Sequence, residues 1–277
     1  MRRISIPFLI APIVAAVFLS YPLTAQLPSD PELVYVRVSA IDRERNRPLR
    51  GIFKENLKVF EDNKLQDITY FSDAEADRPL QVTVIWDIHA NAQEDFKGRA
   101  LSTMTKTGNS KDEFLVIEPG KTLLHEAVLQ ALNTLEQNGN DKKRALVLFT
   151  SKSSPSSYPL SKVRDRLKGL DIQLYVVNLQ TSSGLSSDVD RQALRDLAEL
   201  SGGDAFFPSS TSQMTDISRK ILTRLKNQYL IGYRSTNRAT DGKWRKFRIT
   251  GEYFDSKRKK LVKFDVISKP GYYAPIR

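Results

Sequence analysis

The sequence predicts a doubly wound α/β fold with a mostly parallel sheet, inserted in or flanked by a small β-sandwich-like domain. Three observations carry that expectation. Val82–Trp86, in which only Thr83 is polar, and Ala145–Phe149 are apolar runs, the pattern of strands buried on both faces. Strand-like and helix-like segments alternate regularly from Leu80 to Asn227, which implies parallel strands with right-handed crossovers. The stretches on either side contain short strand patterns only.

Taken in order, residues 1–25 read as a signal peptide. Arg2 and Arg3 form a positive start, Ile4–Leu19 is almost wholly apolar, and Pro22–Ala25 ends in a small residue. The apolar stretch is interrupted by Pro7 and Pro12 and is short for a membrane span. The remainder of the chain is therefore expected to be exported, whether that segment is cleaved or left as an anchor. Residues 26–79 form an N-terminal β segment, with strands at Leu33–Ala40, Leu57–Phe60 and Ile68–Phe71 and turns at Asp42–Pro48 and Glu61–Lys64.

Residues 80–227 form the α/β unit. Its strands are Val82–Trp86, Phe114–Ile117, Ala145–Phe149, Ile172–Leu179 and Ala205–Phe207. Its helices are Gln93–Thr105, Thr122–Leu135, Ser161–Leu170, Asp190–Leu200 and Thr211–Lys226. Thr122–Leu135 carries Leu123, Leu124, Ala127, Val128, Ala131, Leu132 and Leu135 at helical spacing, and Ser201-Gly202-Gly203 supplies a helix stop. Residues 228–277 revert to β, with a hairpin of Trp244–Tyr253 and Leu261–Ile267, and are expected to pack with 33–72.

Composition narrows the function. Forty per cent hydrophobic and 27% charged residues describe an ordinary globular chain. The absence of cysteine excludes disulfides, thiolate zinc and attachment through an N-terminal lipidated cysteine. A net charge of +11 favours anionic partners, and the densest run, Lys257-Arg258-Lys259-Lys260, falls at a hairpin tip. No stacked-aromatic motif accompanies it, so no nucleic-acid partner is expected.

In a doubly wound sheet ligands sit beyond the carboxyl ends of the strands. Three segments fall there: Asp87-Ile88-His89-Ala90-Asn91, Gly120-Lys121-Thr122 and Thr150-Ser151-Lys152. With Ser201-Gly202-Gly203-Asp204-Ala205-Phe206 they resemble a von Willebrand factor type A domain. The flanks Val59–Ile68, Leu225–Tyr233 and Gly271–Pro275 are similar to the bacterial exported VWFA-related proteins common in acidobacteria.

The resemblance implies a loop face that binds a partner, in some relatives through a metal-ion-dependent adhesion site. Asp87 and Thr122 match the first-loop Asp and second-loop Thr of that site. His89 and Asn91 stand where the relatives carry two serines, and Ser151 where they carry the third-loop Asp. An intervening edge strand of many relatives is expected to be missing. The set is degenerate: Asp87 is its only certain anion, imidazole suits a softer metal than Mg²⁺, and Lys121 and Lys152 repel cations.

Catalytic motifs are absent. Gly-x-Ser-x-Gly does not occur, His89 and His125 are the only histidines, and the earlier glycine of a P-loop is missing before Gly120-Lys121-Thr122. The expectation is a non-enzymatic, cofactor-free protein-interaction module using Asp87, His89, Asn91, Thr122 and Ser151 toward a protein partner. Two alternatives stay open, a divalent-metal-dependent adhesion protein and a protein that binds anionic envelope surfaces.

Overall fold

The computed structural model describes residues 30, 32–88, 93–120, 124–137, 141–151, 160–179 and 188–276. The expected signal peptide, and with it any bearing on export, lies outside the described residues. Among those described, no helix is long and apolar enough to cross a membrane.

The central unit is a five-stranded, wholly parallel sheet. Its strands are β6 (Leu80–Asp87), β7 (Glu113–Ile117), β8 (Lys143–Thr150), β9 (Ile172–Asn178) and β10 (Asp204–Phe206), in the order β10-β9-β8-β6-β7. Helices cover both faces. On one, α2 (Leu124–Gln137), α3 (Leu160–Gly169) and α4 (Asp188–Leu200) bury Leu132, Leu167 and Leu197 against Ile85, Leu146 and Leu174. On the other, α1 (Gln93–Thr107) and α5 (Met214–Lys226) bury Met104 and Leu222 against Val84, Val147 and Tyr175.

Helix α2 buries Leu124, Ala127, Val128, Ala131, Leu132 and Leu135 of the set read from the sequence, while Leu123 lies outside the described residues. Helix α4 ends where Gly202 takes a φ of +78° and Gly203 donates to the Ala198 carbonyl at 3.0 Å. Gly203 tolerates no side chain, since a Cβ there would lie 1.8 Å from the Leu174 carbonyl oxygen. The expected start of the last helix at Thr211 is a 3₁₀ turn, Thr211–Gln213, leading into α5.

The two β-rich flanks make a single antiparallel sheet. β1 (Val34–Asp42), β2 (Arg47–Pro48), β3 (Leu57–Glu61), β4 (Lys64–Gln66) and β5 (Ile68–Ser72) come from before the parallel unit. β11 (Tyr229–Tyr233), β12 (Trp244–Asp255), β13 (Lys260–Ile267) and β14 (Gly271–Tyr273) come from after it. The main path is β4-β3-β12-β13-β1-β11-β5, with β14 beside β12 and β2 beside β1. Tyr233 on β11 stacks edge-on to Phe247 on β12, 6.4 Å between centroids, though two strands separate them in the path. The sheet therefore curls on itself around Val38, Val59, Ile231, Ile249 and Phe264. Rather than two separate sheets of a sandwich, one sheet supplies both walls.

Strand β4 is a correction to the sequence reading, which placed a turn over Glu61–Lys64. The turn is only Asp62-Asn63, with φ of 46° and 68°, and Lys64 already pairs with Glu61. Two consecutive left-handed residues are the backbone of a tight two-residue hairpin, and Asp and Asn tolerate that region best after glycine.

All three flank motifs meet at one buried carboxylate. Glu61, 2% exposed, accepts from the Tyr233 hydroxyl at 2.8 Å, the Ser235 hydroxyl at 2.6 Å and the Tyr272 hydroxyl at 3.1 Å. Arg245, also buried, lies 3.8 Å away and donates to the Asn237 carbonyl. Burial and the adjacent carboxylate push the Tyr233 phenol well above its usual range. Each residue thus holds its own segment onto the sheet.

The β-rich unit docks on the amino ends of the parallel strands. Arg37 of β1 pairs with Glu75 at 2.7 Å and with Asp171, just before β9. Burial works against the Arg37 charge, but Asp171 and Glu75 raise its affinity for the proton. Lys143, the first residue of β8, is 2% exposed and donates to the Glu75 carbonyl and to the Leu225 carbonyl at 2.6 Å. Gln228 donates to the Gln173 side chain at 2.8 Å, and Lys269 to the Leu170 carbonyl at 2.8 Å.

Candidate functional site at the carboxyl edge

Strands β6, β8 and β9 end in register. Asp87 stands opposite Thr150, and Thr150 opposite Asn178, so three polar residues close the apolar runs Val84–Trp86, Ala145–Phe149 and Leu174–Val177 in one row. All three are buried, Asp87 completely. The Thr150 hydroxyl donates to Asp87 Oδ2 at 3.2 Å. Main-chain bonds continue the row: Ser151 N–H donates to the Asp87 carbonyl at 3.4 Å, and Leu179 N–H to the Thr150 carbonyl at 2.8 Å.

The strand order gives this row its significance. The chain passes from β6 outward to β7, then returns to the other side of β6 with β8. The crevice between β6 and β8 is thus the topological switch point, where the connecting loops diverge and leave room for a ligand. Asp87 and Thr150 sit at that crevice. It is removed from the β-rich unit by the length of the strands, about 25 Å for eight residues at ~3.3 Å each.

Of the residues singled out from the sequence, Asp87 and Ser151 are brought together here. His89, Asn91 and Thr122, like Lys121 and Lys152, lie outside the described residues. Gly120, with a φ of +59°, ends the described part of the loop after β7. His125 is half-buried in the first turn of α2. Asn178 is the member of the row that the sequence reading missed, although the sequence carries a signal for it: like Asp87 and Thr150, it is a polar residue ending an apolar run.

Among the described residues strand β7 is the edge of the parallel sheet, and Leu115 and Val116 are 48% and 38% exposed.

A hard divalent ion needs several oxygen ligands and charge compensation. The described part of the row offers one carboxylate, a hydroxyl and an amide. Among the described residues no group of three or more His, Cys, Asp or Glu stands together. By themselves these three residues supply too few oxygens and too little charge for an adhesion-type cation site, and the other expected positions, His89, Asn91 and Thr122, lie outside the described residues.

No protein-family model matches the chain, and no curated protein does. Solved structures similar to it in shape include three of low sequence identity. A von Willebrand factor type A protein from Catenulispora acidiphila has 9% identity and a TM-score of 0.44, with 72% of this chain and 66% of that one covered. The ArnB paralog VWA2 from Sulfolobus acidocaldarius has 13% identity and a TM-score of 0.39, covering 86% and 76%. A flavodiiron protein from Giardia intestinalis has 16% identity and a TM-score of 0.32, covering 55% and 37%. With scores this low none of them bears on function, and the fold class rests on the strand order itself.

Proposed function

We propose that the chain is a non-catalytic, exported interaction protein of the bacterial VWFA-related kind, which presents the loops at the carboxyl edge of its parallel sheet to a protein partner. The observation that carries this reading is the buried Asp87–Thr150 pair at the switch point between β6 and β8. A fully buried carboxylate is retained only where it is well satisfied. In this role Asp87 does not touch the partner; it fixes where the loops after β6 and β8 leave the sheet. Ser151, one residue further and partly exposed, is at the contact rim.

The reading takes the interaction to be independent of metal, because the row supplies a single carboxylate. Calorimetry with Mg²⁺, Mn²⁺ and Zn²⁺ is expected to give no heat above background; saturable heat with any of them would favour the adhesion alternative. Partner recovery is the second test. Asp87→Ala/Thr150→Val is expected to retain the fold by circular dichroism and to recover the wild-type partner at least tenfold less. Equal recovery would move the interaction elsewhere on the molecule.

A further inference from the structure

The outer face of strands β12 and β13 is mainly charged, with one exposed apolar exception. Along β12 and β13 the residues facing outward include Arg248, Glu252, Lys263 and Asp265. Lys58 reaches Glu252 at 2.9 Å, Arg43 reaches Asp265 at 2.6 Å, and Arg248 lies over the Phe60 ring at 4.6 Å. The exception is the cross-strand pair close to the turn, Phe254 opposite Leu261. These two are 61% and 64% exposed.

The turn beyond that pair projects cations. Asp255 Oδ1 accepts from the backbone N–H groups of Lys257 and Arg258 at 2.9 and 3.0 Å, which fixes its shape. Lys259 holds a φ of +51°, a left-handed position usually given to glycine or asparagine. Arg258 is engaged by Glu44, whereas Lys259 and Lys260 make no ion pair among the described residues. Beneath the tip a groove is lined by Arg43, Arg45, Lys257, Arg258 and Lys263 against Asp42, Glu44 and Asp255, an excess of cations.

We propose that the β12–β13 hairpin tip docks on an anionic lipid surface. Phe254 and Leu261 enter the headgroup layer, and Lys257, Lys259 and Lys260 engage lipid phosphates. An apolar pair collared by lysines matches the two attractions a charged bilayer offers, burial of apolar side chains and neutralisation of headgroups. A soluble polyanion would use the lysines but leave Phe254 and Leu261 in water. This surface lies apart from the carboxyl edge and stands or falls independently of the loop reading.

Because the chain has no cysteine, Leu261→Cys creates a unique thiol for a polarity-sensitive fluorophore. Leu65→Cys, at another exposed leucine, serves as the control, being 58% exposed on β4. The full chain is mixed with vesicles of phosphatidylcholine alone or with phosphatidylglycerol added. A blue shift is expected from position 261 only, with anionic vesicles only. In that background Lys257→Glu/Lys259→Glu/Lys260→Glu is expected to weaken partitioning about fivefold or more for each lysine lost. Sedimentation of unlabelled Phe254→Ser/Leu261→Ser should fall at least tenfold against wild type on anionic vesicles.

No shift at position 261 overturns the proposal, as does an equal shift at position 65 or an equal response to neutral vesicles. Binding unchanged by Phe254→Ser/Leu261→Ser would leave a purely electrostatic patch and also overturn it. So would retention on a soluble sulfated polysaccharide without any response to lipid.

Discussion

The two ends of the parallel sheet are built from similar residue types and do opposite things. At the amino end, Arg37, Glu75, Asp171, Lys143, Gln173 and Gln228 bind one another across the junction with the β-rich unit. At the carboxyl end, Asp87, Thr150 and Asn178 form a row along the sheet, in which the Thr150 hydroxyl joins Asp87 from strand to strand. Polar groups at the first end close a surface, whereas those at the second stand at the switch point between β6 and β8. Burial alone does not separate the two roles; what the side chains are bonded to does.

The largest expected effect lies at the closed end. Arg37→Leu leaves Glu75 buried with Arg78 as its remaining ion-pair partner, and removing one member of a buried ion pair costs roughly 3–5 kcal/mol. Urea denaturation should show that loss; a change below about 1 kcal/mol would mean that the junction does not brace the fold. By contrast, Thr150→Val at the open end is expected to cost about 1–2 kcal/mol, the value of a hydroxyl donor to a buried carboxylate. Equal costs at both ends would erase the distinction.

Lys143 sharpens the comparison through pH. Burial, opposed by Glu75, pulls its ammonium from 10.5 down to about 7. Between those values the unfolded chain binds the extra proton, so the Lys143 contribution to stability rises with pH; it is flat below about 7. The neutral amine still has donors for both carbonyls. Wild-type stability minus that of Lys143→Met is therefore expected to increase by about 1 kcal/mol per pH unit between roughly pH 7.5 and 9. Readings stop there because the buried Tyr229 and Tyr233 phenols are raised and would add a further pH-dependent contribution in more alkaline solution. A difference independent of pH would show that Lys143 stays charged in the fold.

The smallest effect belongs to the helical layer between the two ends. Ser218 on α5 is fully buried and its hydroxyl has no hydrogen-bond partner among the described residues. Ser218→Ala removes a desolvated polar group and improves helix propensity, so a gain of about 0.5–1 kcal/mol is expected in thermal unfolding. A loss would indicate that the hydroxyl is satisfied in solution.

The parallel unit is the more legible part of the sequence. Apolar runs such as Val82–Trp86 and the spacing in α2 record burial directly, because a strand or helix covered on known faces leaves a periodic trace. The antiparallel sheet is less so. Its strands can be read singly, but the pairing of β1 with both β11 and β13 joins segments from opposite ends of the chain, and no local pattern specifies that register. Strand β4 is hidden because three residues, of which only Gln66 is buried, leave no alternation to detect.

The site is legible in part for the same reason. Asp87 and Ser151 stand directly beyond apolar runs, where a doubly wound sheet places its ligand loops. Asn178 reads from the sequence as the body of a strand, which in the fold stops one residue earlier than expected. The role of Glu61 leaves no local trace, since its partners Tyr233, Ser235 and Tyr272 come from distant segments. Three family-like flanking motifs of the sequence are in the fold one hydrogen-bonded centre.

The central claim is that the carboxyl edge is the partner-binding face, and site-specific photocrosslinking tests it most directly. A photoreactive residue at Ser151 is compared with one at Arg219, an exposed position on α5. The expected result is one adduct of defined mass from Ser151, absent from Arg219 and lost when Asp87→Asn/Thr150→Val is combined with it. Adducts of equal yield at both positions, or an adduct at Ser151 that survives Asp87→Asn/Thr150→Val, would contradict the assignment.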